Sequence, residues 1–174
     1  MSNTDDELHR IVLGIVNDIE AAAAGDLYDV DGENVIIQDM DAWKEEQYRK
    51  KVDEFRDEHP EESFDPEETG CDTYEEWMES EIDTVDDIDE PDEVSLSEYV
   101  DRESLGDVRF EVDSSKDLHG GKVLFCYGGP NVWVADDEVR GYWGSSTVEM
   151  SLDSRASSAM WDWFEEMWNV AKEM

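Results

Sequence analysis

The sequence predicts an α+β fold: N-terminal helices, an acidic helical or irregular middle segment, and a C-terminal antiparallel sheet of three to five strands packed by a final helix. Three observations predict it. Apolar residues recur at helical spacing near the N-terminus and again at the C-terminus. Short β-branched and aromatic runs separated by Gly, Pro, Asn and Asp fill residues 107–151. Between these parts lies a stretch too rich in carboxylates to bury much of itself. Over 174 residues, 39% apolar content with 10% aromatics can fill one modest core.

The first helix rests on Leu8, Ile11, Val12, Ile15, Val16 and Ile19, spaced to share one face. Thr4-Asp5-Asp6-Glu7 reads as its capping box, with acids at the positive end of the helix dipole, and Gly25 after Ala24 is its stop. A turn-rich stretch through Asp31-Gly32 and the apolar run Val35-Ile36-Ile37 follow. A second helix is expected over about 41–59, ended by Pro60, with Met40, Trp43, Tyr48, Val52 and Phe55 roughly along one face. Thr73-Tyr74-Glu75-Glu76 repeats the capping-box pattern and opens a helix over about 73–82. After the break at Pro91, a shorter helix is expected over about 96–103, capped by Ser95 or Ser97. Residues 83–93 hold so few apolar side chains that they belong on the surface.

Strands are expected at 108–112, 122–127, 132–134, 139–143 and 147–150, running as an antiparallel meander. Its turns fall at His119-Gly120-Gly121, Gly128-Gly129-Pro130-Asn131, Asp136-Asp137-Glu138 and Gly144-Ser145-Ser146. A final helix over about 154–172 would cover the sheet with Met160, Trp161, Phe164, Met167, Trp168 and Ala171, leaving Trp163 to point elsewhere. The expected core draws on Leu8, Ile11, Ile15, Val123, Phe125, Val132, Val134, Trp161, Phe164 and Trp168.

Charge then dominates the functional reading. The chain has 50 Asp and Glu against 13 Lys and Arg, a formal charge of −37. Residues 1–56 hold 15 acids and 6 bases, residues 57–103 hold 22 acids and only Arg102, and residues 104–174 hold 13 acids and 6 bases. Composition therefore marks boundaries near 56/57 and 106/107, as three parts or as regions of one domain. A protein this acidic repels nucleic acid and anionic lipid and attracts basic proteins, so neither direct nucleic-acid binding nor membrane binding is expected. Asp5, Asp6 and Glu7 stand where a signal peptide would need positive charge, and no apolar run nears the roughly 18 residues of a membrane span. Cys71 and Cys126 allow at most one bridge. These features point to a cytoplasmic protein with reduced thiols.

Motifs for chemistry are missing. Gly128-Gly129-Pro130 lacks the Lys-Ser/Thr of a P-loop and the spacing of a dinucleotide fingerprint. Cys71, Cys126, His9, His59 and His119 show no paired zinc-ligand spacing. Asp29-Val30-Asp31-Gly32 resembles a calcium loop, yet counting Gly32 as sixth puts Leu27 first and Gln38 twelfth, where Asp and Glu are required. No Gly-x-Ser-x-Gly elbow occurs. Neither a cofactor nor an enzymatic activity is expected.

The density of acid in the middle suggests a different task. Duplex DNA carries one charge per about 3.4 Å along each strand. In residues 57–103 an acid falls every two residues or so, which at the helical rise gives at most one carboxylate per about 3.2 Å. Carboxylates held rigidly at that spacing could stand where phosphates stand in a basic groove. The candidate contact set is Glu61, Glu62, Asp65, Glu67 and Glu68, then Asp72, Glu75, Glu76 and Glu79. It continues with Asp83, Asp86, Asp87, Asp89 and Glu90, and ends with Asp92, Glu93, Glu98 and Asp101.

In size, extreme acidity and absence of catalytic motifs, carried by stretches such as 61–68 and 83–90, the chain resembles the acidic DNA-mimic inhibitors of phages and mobile elements. These include anti-restriction and anti-CRISPR proteins. The resemblance implies a partner that is a basic nucleic-acid-binding protein or complex, and a host cytoplasmic location. Separately, Gly128-Gly129-Pro130-Asn131-Val132-Trp133-Val134 with Gly141-Tyr142-Trp143-Gly144 resembles a small uncharacterised phage-type domain over residues 107–172, which implies no activity. Two rival readings stay open: a halophilic or generically acidic domain with solvated carboxylates, and a disordered acidic tether for a basic partner. A two-fold homodimer through Trp163 or an uncovered sheet edge is also open, although like charge opposes it.

Overall fold

Gly25 sits at φ +79°, the left-handed conformation that ends a helix, and it closes the long helix α1 (Asn3–Ala24) in the computed structural model. The structure describes residues 3–82 and 84–173. They form an α+β protein whose chain divides into two compact units. One takes residues up to 36 and from 92 onward; the other takes 37–91. The cuts fall at 36/37 and 91/92, while the steps in composition fall at 56/57 and 106/107.

In the larger unit, α1 buries Leu8, Val12, Val16 and Ile19 at helical spacing, with Ile11 and Ile15 half-buried on the flank. Thr4 lies inside this helix and is therefore not its cap. Next come β1 (Leu27–Val30) and β2 (Glu33–Ile36), joined by Asp31 and Gly32 at φ +55° and +85°. Two positive φ values in an Asp-Gly pair make the tight hairpin turn that matches strand twist. Sequence reading finds the turn but not the four-residue strands beside it. β3 (Asp92–Glu93) adds to the other edge of β1, giving the order β2-β1-β3. Helix α5, numbered after three helices of the other unit, spans Leu96–Glu103. It starts with a full capping box: Ser95 Oγ accepts from Glu98 N, and Glu98 Oε2 accepts from Ser95 N.

Five strands then run as an antiparallel meander: β4 (Val108–Val112), β5 (Leu118–Cys126), β6 (Asn131–Ala135), β7 (Glu138–Trp143) and β8 (Ser146–Ser151). One expected turn is overturned. His119-Gly120-Gly121 lies within β5, with Gly121 opposite Phe110 and Gly120 opposite Glu111. The chain reverses instead at 113–117, where Asp113 Oδ1 accepts from the amides of Ser115 and Asp117. Gly121 is in the strand because a Cβ there would come within 2.5 Å of the buried Phe164 ring. A Cβ on Gly141 would likewise meet Val12 at 2.7 Å and Leu8 at 2.8 Å. Both glycines let a helix sit close on the sheet.

The last helix, α6 (Ser154–Ala171), is capped by Asp153 and packs on β5 and α1 together. That double contact corrects its expected face. Trp163 is buried, edge-on to Phe164 at 5.1 Å, with Ala156 and Met160 completing the buried row. Trp161 and Trp168 are only half-buried, and the Trp168 indole donates to Lys116 O at the rim. Trp163 is thus no exposed patch for a homodimer. Of the expected core, Leu8, Val123, Phe125, Val132, Val134 and Phe164 are buried. Ile11 and Ile15 pack half-buried against it, whereas Trp161 and Trp168 are half-buried without belonging to it. No helix among the described residues is long and apolar enough to cross a membrane.

The smaller unit holds α2 (Met40–Glu58), α3 (Pro66–Thr69) and α4 (Tyr74–Glu81), with short 3-10 turns at Glu61–Ser63 and Val85–Asp87. Asp39, Asp65 and Thr73 cap the three helices through their side chains. Nothing on α2 is fully buried. Beside the buried Tyr74 and Met78 lies a half-exposed ring cluster, in which Trp77 lies 5.1 Å from Phe55, 5.2 Å from His59, 5.9 Å from Phe64 and 6.1 Å from Tyr74. The Tyr74 hydroxyl donates to His59 O at 2.6 Å, tying the end of α2 to α4. Within 83–93, read from composition as surface, Ile88 is buried and Val85 half-buried, so the stretch is not wholly exposed.

Candidate partner-binding surface

The smaller unit carries 23 acids and 5 bases, and all five bases lie on α2. From residue 57 to residue 91 there are 17 acids and no Lys or Arg. Of the candidate set, Glu61, Glu62, Asp65, Glu67, Glu68, Asp72, Glu75, Glu76, Glu79, Asp86, Asp87, Asp89 and Glu90 belong to this unit, and every one is exposed. Asp83 lies outside the described residues. Asp92, Glu93, Glu98 and Asp101 are exposed too, but they belong to the larger unit, on β3 and α5. The set is therefore divided between the two compact bodies.

Local structure uses some of these carboxylates. Asp65 accepts from Glu67 N, Glu76 from Asp72 N, and Asp87 from both the amide and the hydroxyl of Thr84. Glu90 pairs with Lys44 at 2.8 Å, and that hydrogen bond is the main reason the Lys44 ammonium is held above its ordinary value. The Ser95 hydroxyl and amide hold Glu98 below the usual carboxylate range. By contrast Glu61, Glu62, Glu67, Glu68, Asp72, Glu75, Glu79 and Asp89 have no side-chain hydrogen bond or ion pair among the described residues. Their charge faces solvent without a counter-ion among the described residues.

One concavity lies among these acids. A groove of about 490 Å³ has Tyr48, Ile82 and Val85 in its lining and Glu79 and Asp86 beside them. An apolar floor with two carboxylates suits the aliphatic stem and charged head of an Arg or Lys side chain. Two of the expected contact residues, Glu79 and Asp86, therefore stand beside an apolar seat, which a count of charges could not reveal.

Sequence reasoning missed a second arrangement, on the face of the meander opposite the helices. Arg109 pairs across the ladder with Lys122, and Trp133 with Arg140. The Arg109 guanidinium stands 4.5 Å and the Lys122 ammonium 5.3 Å from the Trp133 ring centre. With Glu138, Arg140 and Tyr142 they line a pocket of about 160 Å³. Its cations are largely answered: Arg140 bridges Glu138 at 2.5 Å and Glu149 at 2.8 Å, and Arg109 pairs with Asp107 at 3.1 Å. Alternation of Arg109 with Phe110, and of Arg140 with Val139 and Gly141, was the available signal.

Among the described residues no group of three His, Cys, Asp or Glu side chains is placed to hold a metal ion, and Cys71 and Cys126 are free. Comparisons with known protein families, with curated proteins and with solved structures give no match. Function must be argued from the chain's own geometry and charge.

Proposed function

We propose that the protein is a stoichiometric DNA-mimic inhibitor. Its carboxylates over residues 57–91 occupy the basic nucleic-acid groove of a host defence nuclease complex, a CRISPR effector or a restriction enzyme, and exclude DNA without turnover. One observation carries the reading: 17 acids and no base in 35 consecutive residues, borne on capped helical turns, with many of the carboxylates free of internal partners. The backbone that carries them is already ordered, so only side-chain freedom is lost on binding, and each Arg or Lys they meet forms a charge-assisted bond. The field of the whole chain would speed the encounter.

The test is the fourfold reversal Glu67→Lys, Glu68→Lys, Glu75→Lys and Glu79→Lys, which spares the caps and the Lys44–Glu90 pair. Inhibition of DNA cleavage is assayed across purified CRISPR effectors and restriction enzymes. Inhibition by the parent that falls at least about tenfold in the variant, with an unaltered unfolding curve, supports the proposal, since rim charges govern association. Equal inhibition by parent and variant removes the contact set. No inhibition by the parent across the panel removes the function.

A second reading has its own support. The larger unit holds 27 acids and 8 bases, so half of the net charge lies outside the smaller one. That spread suits a generic acidic, salt-adapted surface. A salt-adapted protein unfolds when salt is withdrawn, whereas a mimic stays folded and binds its target more tightly.

A further inference from the structure

Glycine in the middle of a helix costs about 1 kcal/mol relative to alanine, so a mid-helix glycine needs a reason. The strand glycines Gly121 and Gly141 are explained by the helices that press on them. Gly14, halfway along α1, has none inside the chain: a Cβ there would meet nothing within 4 Å. It opens into a groove of about 410 Å³ bounded by α1, α5 and the end of β5. Ile11, Ile15 and Phe125 supply apolar lining, and Leu13, next to the glycine, is 41% exposed.

Asp18 lies in the same lining, one turn beyond Gly14. It is half-buried, and its hydrogen bond comes from the Tyr99 hydroxyl at 3.2 Å. No cation pairs with it among the described residues. Arg10 is held by Glu7 at 2.6 Å, and Arg102 is held by Asp29 and Glu103. Burial, with Glu103 adding repulsion, pushes the Asp18 carboxyl above its ordinary value, while the Tyr99 hydrogen bond opposes the shift. A cation brought to this spot would relieve both strains.

We propose that this groove receives a basic amphipathic helix of a partner protein, seated over Gly14 with a Lys or Arg side chain directed to Asp18. The occupant follows from charge and shape. Arg10, Gly14 and Asp18 form one i, i+4 row about 12 Å long, and the missing side chain at its centre makes a notch for the ridge of a crossing helix. Apolar walls take the greasy face of that helix, and the uncompensated carboxylate selects a positive residue at its edge. None of the carboxylates assigned to the inhibitory surface takes part, so the inference stands independently of that function.

The test uses the full-length, isotope-labelled protein. Its probe is a peptide of about five turns with Leu and Lys at helical spacing, beside a peptide of the same composition whose periodicity is broken. Titration in about 0.5 M NaCl screens diffuse attraction. The ordered peptide should shift the amide signals of Gly14, Asp18, Tyr99 and Cys126 and bind at least tenfold tighter than the broken one. Gly14→Gln should fill the notch and weaken binding about tenfold while leaving the helix at least as stable, and Asp18→Asn should weaken it severalfold. Equal binding of the two peptides, shifts confined to residues 57–91, or full affinity in Gly14→Gln would overturn the proposal. If Gly14→Gln loses the native spectrum, Asp18→Asn decides, and unchanged affinity there also overturns it.

Discussion

Residues 37–91 and the rest of the chain carry almost the same net charge, −18 and −19, but on 55 and 119 residues. Their interiors differ in the opposite sense. Of the buried apolar residues, only Ile37, Tyr74, Met78 and Ile88 belong to the smaller unit, while the larger one closes α1, α5 and α6 over a five-stranded sheet. Charge is thus densest where the core is thinnest. Small bodies bury little of their surface, and self-repulsion lowers stability further. The acidic unit meets both costs with ring contacts, a Tyr74 to His59 tie and side-chain caps rather than with buried area. Its stability rests on few contacts, and each should be separately detectable.

Cutting into each interior breaks the comparison most directly. Phe164→Ala removes a fully buried ring from the larger unit and should cost about 3–5 kcal/mol in urea unfolding. Gly121→Ala, which pushes a methyl into the same ring, should cost about 1–3 kcal/mol. In the smaller unit Trp77→Ala removes four ring contacts and should cost about 2–3 kcal/mol. That loss should unfold residues 37–91 while amide protection in β5 and β6 persists. A single concerted transition in Trp77→Ala, with protection lost everywhere at once, would mean that the two units do not differ in the way described.

How far the sequence discloses this contrast depends on the kind of signal. Helices α1, α2, α4, α5 and α6 are legible because periodicity and caps act locally: Ser95 and Glu98 form the full box their spacing implies, while Thr73 caps Glu76 N and the Glu76 carboxylate turns back to Asp72 N instead. The meander is legible from its β-branched runs. Gly120-Gly121 misleads because a glycine needed for close packing looks the same as one needed for a turn, and only the position of Phe164 separates them. Trp163 misleads because α6 meets two neighbours, which widens its buried face beyond one stripe. The exposure of the acids could be read in advance. Their division between two compact units could not, since composition steps at 56/57 while contacts divide the chain at 36/37 and 91/92.

Salt sharpens the comparison more gently. Raising NaCl from about 0.02 to 0.5 M shortens the Debye length to a few ångströms and relieves repulsion most where like charges are densest. The unfolding midpoint of the smaller unit, followed by amide exchange, should rise by more than that of the larger one. Equal shifts would favour the generic acidic surface. Collapse of the larger unit at low salt would favour salt adaptation and weaken the inhibitor proposal.

The finest test concerns Asp18, where the larger unit keeps a half-buried carboxylate that its surroundings disfavour. Burial is the leading cause, the Tyr99 hydrogen bond opposes it, and Glu103 adds to it. Because the folded value lies above the ordinary 3.8, the native state holds this proton more tightly than the unfolded chain. Stability from this group therefore falls as pH rises from the unfolded value through the raised folded one, the reverse of a salt-bridged acid. Asp18→Asn keeps an oxygen for the Tyr99 hydroxyl and removes the charge. The variant should unfold at higher urea than the parent above that window and should differ least below it. Glu98, held low by its capping box, supplies the contrast, since its contribution is present above the ordinary value and is lost as pH falls. A parent and an Asp18→Asn variant whose stabilities run parallel across the acid range would show that the carboxylate is already adequately solvated, and the case for a cation at that groove would weaken with it.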